Sequence, residues 1–170
     1  MSPLKGLTLA RQISANREGY PRELKKEGRN IIGYICCFSP PEIIHAAGAL
    51  PYRITGKPGE NTPEADSYLE PFGCPYVRNI FSRYLRGKLD FLDGLVVSHS
   101  CDMVQRLYGI WTYYHPFPYS RLINVPHQLH SWSQDFYYRE LVFLRKAWKG
   151  ITRLRLVIKI SLPQLDFIIR

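Results

Sequence analysis

The chain has 170 residues, 45% of them hydrophobic and 22% charged, a balance that excludes disorder and leaves room for one packed core. No apolar run approaches the roughly 18 residues of a membrane span, and Met1-Ser2-Pro3-Leu4-Lys5-Gly6 lacks the apolar core of a secretory signal, so a cytoplasmic setting is expected. The net charge of +9 invites a nucleic-acid reading, but no aromatic-basic motif accompanies it, and neither nucleic acid nor membrane is expected as a partner.

Residues 8–28 are polar and charged, helical in part and interrupted by Pro21. Their cluster of Arg22, Lys25, Lys26 and Arg29 reads as the solvated face of a helix, with a phosphate-bearing ligand as the alternative. Asn30 to Cys36 is a short, β-branched apolar run, the pattern of a buried strand. Pro40-Pro41 opens a helix over about 41–48 that Gly48 closes, and Leu50 to Ile54 resumes as a strand. Residues 56–73 form a loop too long to be a bare connection, so it is either functional or partly structured. A basic amphipathic helix follows at 75–86, then the strongest strand at 92–98. From Asp102 to Tyr114, the apolar Met103, Leu107, Ile110, Trp111 and Tyr114 share one helical face. Arg121 to Val125 is a fourth strand and Ser133 to Trp148 a further helix. Strand then helix, four times over, predicts an α/β fold with a mostly parallel sheet and flanking helices. The domain plan is a helical segment at 1–29, an α/β domain at 30–150 and a divergent tail at 151–170 that offers at most an edge strand.

Four cysteines, Cys36, Cys37, Cys74 and Cys101, make too thin a disulfide framework for this length. Cys36 and Cys37 are adjacent on the predicted strand and should point to opposite faces, which keeps them from acting together. Cys74 and Cys101 each open a predicted helix. There a thiolate meets unpaired backbone N–H groups and the positive end of the helix dipole. Two such thiolates can hold one side of an anionic metal–sulfur cluster. They can also be small buried hydrophobes, or join His99 in a zinc site, although the tight Cys-x-x-Cys knuckle is absent.

The chain resembles the 2-hydroxyacyl-CoA dehydratase and benzoyl-CoA reductase family. The resemblance rests on Ile32-Gly33-Tyr34-Ile35-Cys36, the stretch from Pro41 to Pro51, Cys74-Pro75-Tyr76-Val77-Arg78 and the stretch from Asp90 to Val96. Its most specific part runs from Ser98-His99-Ser100-Cys101-Asp102 to Trp111, followed by Pro116-Phe117 and Val125-Pro126-His127. Together these segments cover roughly residues 30–148. The resemblance implies a Rossmann-like domain whose Cys74 and Cys101 are two of three cysteines on a 4Fe–4S cluster, one iron site being open. The third family cysteine belongs to a second α/β domain further along, and residues 151–170 depart from the family's continuation. A chain lacking that domain, and unable to complete the cluster alone, is therefore expected.

The resemblance also implies radical chemistry on an acyl-CoA substrate in anaerobic metabolism. A homologous second subunit forms a heterodimer with the chain, and an ATP-dependent iron–sulfur activator delivers one electron at low potential. The thioester becomes a ketyl radical anion that expels hydroxide; in the reductase branch the electrons enter an aromatic ring. A non-catalytic remnant is the remaining alternative. Glu42 is read as dipole compensation at a helix start or as a proton-transfer group, and His45 as a partly buried polar residue. His99 is, with Glu42, the catalytic candidate, placed beside the metal as a hydrogen-bonding group rather than an iron ligand, and Arg106 is expected to pair with Asp102. Arg53 and Arg78 are assigned to coenzyme A phosphates.

Overall fold

In the computed structural model of the chain, residues 3–151 are described. Two helices, α1 (Pro3–Ala15) and α2 (Gly19–Lys26), precede β1 (Ile31–Ile35), α3 (Pro41–Ala46), β2 (Leu50–Arg53) and α4 (Pro63–Asp66). Then come α5 (Pro75–Leu85), β3 (Gly94–His99), α6 (Asp102–Tyr114), β4 (Tyr119–Asn124) and α7 (Ser131–Ile151). The edge strand considered for the tail lies outside the described residues, which end at Ile151. Among the described residues no helix is long and apolar enough to cross a membrane.

The four strands form one parallel sheet in the order β2-β1-β3-β4. Both faces are buried, which is why β1 and β3 read as unbroken apolar runs rather than alternating ones. Ile31, Ile35, Leu95 and Val97 pack on Val77, Ile80 and Phe81 of α5 and on Leu107 and Trp111 of α6. Ile32, Val96 and Ile123 pack on Ile43 and Ile44 of α3 and on Leu141 and Leu144 of α7. From β1 the chain winds outward to β2, and from β3 it winds the opposite way to β4. Crossovers of one hand then require α3 and α6 on opposite faces, as found. This reversal creates a crevice at the carboxyl ends of β1 and β3.

Two glycines permit close approach inside the sheet. A Cβ on Gly33 would lie 2.7 Å from the Ile54 side chain, and one on Gly94 would lie 2.7 Å from the Tyr119 carbonyl oxygen. The second contact lets β4 begin at Tyr119, two residues before the predicted start, in register with Gly94. α6 spans the predicted residues, but its inner face is Val104, Leu107 and Trp111, with Met103 and Ile110 partly buried. Tyr114 is exposed: at the helix end it meets the Tyr68 ring edge-on at 5.1 Å instead of the sheet.

The long loop is structured. It contains α4 and is strapped to the polar side of α5 by Asn79, whose Nδ2 donates to the Lys57 and Glu60 carbonyls at 3.2 and 3.1 Å. The Ala65 N–H donates to the Ser82 hydroxyl at 3.2 Å, which in turn donates to Glu64 at 3.0 Å. The basic side chains of α5 and its cap are paired rather than free. Arg83 binds Glu18 and Glu60, Arg86 binds Glu64, and hydrogen bonding to Arg86 pulls the Glu64 carboxyl down to about 2.

Two cations of α2 also have internal partners. Arg22 pairs with Asp90 at 2.6 Å and donates to the carbonyls of Gly87 and Lys88, while Lys25 pairs with Asp93. Arg22 and Lys25 thus dock on the turn before β3, whereas Lys26 and Arg29 stay exposed, so the solvated face expected holds for only half of the cluster. Asp93 accepts from the Ile31 N–H at 2.8 Å, and its own N–H donates to the Ile31 carbonyl at 2.8 Å. Asp93→Ala is expected to destabilise the fold by about 1–3 kcal/mol, because the Ile31 N–H and Lys25 both lose their acceptor. Urea titration followed by circular dichroism measures it, and a loss below about 0.5 kcal/mol, the scale of ordinary surface substitutions, would contradict this role.

Candidate functional site

The crevice edge is built by the segments that leave β1 and β3. β1 ends at Ile35, so Cys36 and Cys37 lie past the strand and not on it. Cys36 has φ +72°, a left-handed conformation that is unusual for any residue but glycine. The turn removes the strand's alternation, and the two sulfurs lie 3.9 Å apart. The expectation for the pair is thereby corrected: Cys36 and Cys37 do not lie on the strand and do not splay to opposite faces. Partial burial pushes the Cys36 thiol up. Hydrogen bonds from the Ser100 side chain, the Phe38 and Cys37 backbone and the Cys37 thiol outweigh it and bring the group below its ordinary value.

Beneath these cysteines the Ser39 hydroxyl donates to the Ile35 carbonyl at 2.7 Å and meets the Ser98 hydroxyl at 2.8 Å. This buried contact ties the turn after β1 to the end of β3. His99 follows Ser98, and its ring meets that of His127 edge-on at 5.8 Å.

Cys74 and Cys101 are the N-cap residues of α5 and α6, and both are exposed. Exposure removes the alternative that they are small core hydrophobes. Neither makes a side-chain capping bond, so the sulfurs are not committed to their own helices. The two helix starts touch: a Cβ on the buried Gly73 would lie 2.5 Å from Met103 Cε. Gly73 precedes Cys74, and Met103 is two residues beyond Cys101, so the contact joins the segments that carry the two caps. Tyr76 lies there too. Its hydroxyl donates to the Ile54 carbonyl at 2.9 Å, and burial pushes its phenol up, with Cys36 and Cys74 adding to the rise and Arg53 opposing it. Cys36, Cys74 and Arg53 therefore all act on one ring.

Exposed, uncapped thiols on adjacent helix N-termini fit one side of a thiophilic metal group. Among the described residues, no group of three or more His, Cys, Asp and Glu is disposed to hold a metal ion. The arrangement Cys74, His99 and Cys101 is thus not assembled as a zinc site.

Glu42 is exposed in the first turn of α3 and lines a cleft of about 500 Å³ with Cys37, Pro126, Tyr137 and Leu141. The Tyr137 hydroxyl donates to the Phe38 carbonyl at 2.7 Å; burial raises that phenol, and Glu42 and Cys37 add to the rise. His45 is exposed on the same helix rather than partly buried. Arg106 pairs with Asp102 at 2.8 Å, as its helical spacing predicts. A second cleft, about 790 Å³, runs between the 55–63 loop and the start of α5 and is lined by Lys57, Asp66, Tyr76 and Arg78. Arg78 pairs there with Asp66 at 2.5 Å and donates to the Pro71 carbonyl at 2.8 Å. Arg53 is exposed and has no ion-pair partner among the described residues. Cys36, Ser100, Tyr76, Tyr137 and His127 were not legible as site residues. For Cys36, Ser100 and Tyr137 the missing signal is the left-handed turn at Cys36, which neither glycine nor asparagine marks in the sequence.

The chain is 32% identical over 126 residues to a benzoyl-CoA reductase subunit of Thauera aromatica, spanning 73% of this chain and 33% of that protein. It is 30% identical over 106 residues to the beta subunit of lactoyl-CoA dehydratase of Anaerotignum propionicum, spanning 62% and 28%. With the beta subunit of (R)-2-hydroxyglutaryl-CoA dehydratase of Acidaminococcus fermentans it shares 28% over 94 residues, spanning 55% and 25%. The chain therefore spans a third or less of the length of these relatives. With the matching segment running over residues 36–158, from the turn after β1 through α6 and α7, the chain belongs to the family HGD-D, 2-hydroxyglutaryl-CoA dehydratase, D-component.

Proposed function

We propose that the chain is the cluster-bearing α/β domain of a 2-hydroxyacyl-CoA dehydratase subunit, with Cys74 and Cys101 as metal ligands. The observation that carries this reading is the meeting of α5 and α6 at Gly73 and Met103, each helix capped by an exposed, uncommitted thiol. A 4Fe–4S cluster held there would supply low-potential one-electron transfer and an open iron site for the thioester oxygen. The remaining coordination comes from outside this cysteine pair.

Around them the chain's own groups take distinct roles. Glu42, facing the cleft beside Cys37 and Tyr137, holds or moves a proton at its carboxylate. His99, steadied by His127, is a hydrogen-bonding neighbour of the Cys101 segment. Arg53 and Arg78 receive coenzyme A phosphates; Arg78 lines the larger cleft and must exchange Asp66 for phosphate, while Arg53 is exposed outside that lining and is the freer group. A homologous second subunit and an ATP-dependent iron–sulfur activator complete the system, in a cytoplasmic, anaerobic setting. A ring-reducing role is the second reading, favoured by the 73% of this chain that matches a benzoyl-CoA reductase subunit.

Anaerobic incubation with iron, sulfide and a small thiol tests the central assignment. The expected product is a chelator-labile chromophore with bound iron and acid-labile sulfide. A chain that stays folded and binds neither overturns the reading.

A further inference from the structure

We propose that Cys36 and Cys37 form a thiol-oxidation site of their own, at which a hydroperoxide converts the adjacent thiols into a vicinal disulfide. Neighbouring residues in extended backbone project oppositely and cannot meet. Here the left-handed turn at Cys36 brings their sulfurs to 3.9 Å, and closing a bond of about 2.05 Å must draw them together across adjacent Cα atoms about 3.8 Å apart, a shorter span than most disulfides bridge. The two sulfurs differ in character. Cys36 is half-buried and takes hydrogen bonds from the Ser100 side chain and from the Cys37 and Phe38 backbone, partners that favour its thiolate. Cys37 is exposed at the rim of the cleft beside Glu42. Cys36 is the attacking sulfur and Cys37 the resolving one.

The chemistry balances with hydrogen peroxide as the oxidant. The Cys36 thiolate attacks one peroxide oxygen, the O–O bond breaks, and the departing hydroxide takes up a proton to leave as water. Cys36 is now a sulfenic acid. The Cys37 sulfur attacks it, the S–O bond breaks, and the hydroxyl leaves with the Cys37 proton as a second water. Two thiols are oxidised by two electrons and one peroxide is reduced to two waters.

The turn that closes is anchored just beyond Cys37. The Phe38 carbonyl accepts from Tyr137, and Ser39 holds Ser98. Ring closure therefore pulls Cys36 from Ser100 and reshapes the cleft edge that Cys37 shares with Glu42. None of this depends on metal binding by Cys74 and Cys101, so its failure and the failure of the metal reading are separately visible.

Tryptic peptide mapping after equimolar peroxide gives the test, with free thiols alkylated before digestion. Cys36 and Cys37 fall in one peptide, residues 30–53, while Cys74 lies in 54–78 and Cys101 in 89–106. The expected result is a 30–53 peptide lighter by about 2 Da, unalkylated, and restored by dithiothreitol. In Cys37→Ser, dimedone should trap a sulfenic acid on Cys36. A 30–53 peptide that remains doubly alkylated while 54–78 or 89–106 is oxidised overturns the proposal. So do disulfides that join two peptides, or a folded Cys37→Ser chain without the dimedone adduct.

Discussion

Cys101→Ala is expected to lower the iron bound after anaerobic reconstitution by at least about tenfold, since groups one step further from a metal already cost 10–100-fold in affinity. Cys74→Ala should do the same, and the double variant should bind no more iron than a denatured control. The substitutions are clean for a structural reason. Each sulfur is exposed and caps nothing, so alanine leaves no cavity and removes no capping bond. Far-ultraviolet circular dichroism should therefore stay unchanged while iron and sulfide fall together. Full iron retention in a folded Cys101→Ala chain would remove the central residue of the proposed function. Cys37→Ser, which alters a thiol outside this pair, should retain the iron of the unsubstituted chain.

Trp111→Ala is expected to destabilise the domain by about 3–5 kcal/mol, the range for deleting a buried tryptophan. Trp111 is fully buried on the inner face of α6. Its ring lies 5.5 Å from Phe81, 4.7 Å from Tyr84 and 5.9 Å from Phe117, so it joins α5, α6 and the segment leading into β4. Alanine would open a cavity where three aromatic rings lose a common neighbour. Against a total stability of about 5–15 kcal/mol, that loss removes a large share of the folding free energy. Urea denaturation followed by circular dichroism measures it directly. Trp111→Phe, which keeps an aromatic ring, should cost clearly less; equal losses in the two variants would show that ring packing is not the cause.

The alternation of strand and helix was legible in the sequence because it is a local pattern. Strands buried on both faces are short apolar runs, as Ile31–Ile35 and the Leu95-Val96-Val97 centre of β3 are, while proline at a helix start announced α3 and amphipathic spacing announced α5. The placing of Cys74 and Cys101 at helix starts followed from the same local cues. Tertiary structure decided what those cues leave open. Arg83 meets Glu18, 65 residues away, and Asn79 straps a loop some 20 residues before it, so polar side chains of a basic amphipathic helix became internal ties. No periodicity records such pairings, because they depend on which helices share a face. The crevice itself had the same origin: the sheet reversal set Cys36 beside Ser100, and a left-handed turn without glycine brought Cys36 against Cys37. Hydrophobic pattern dictates which elements form and which side they bury; the contacts that make a site arise only when those elements are packed together.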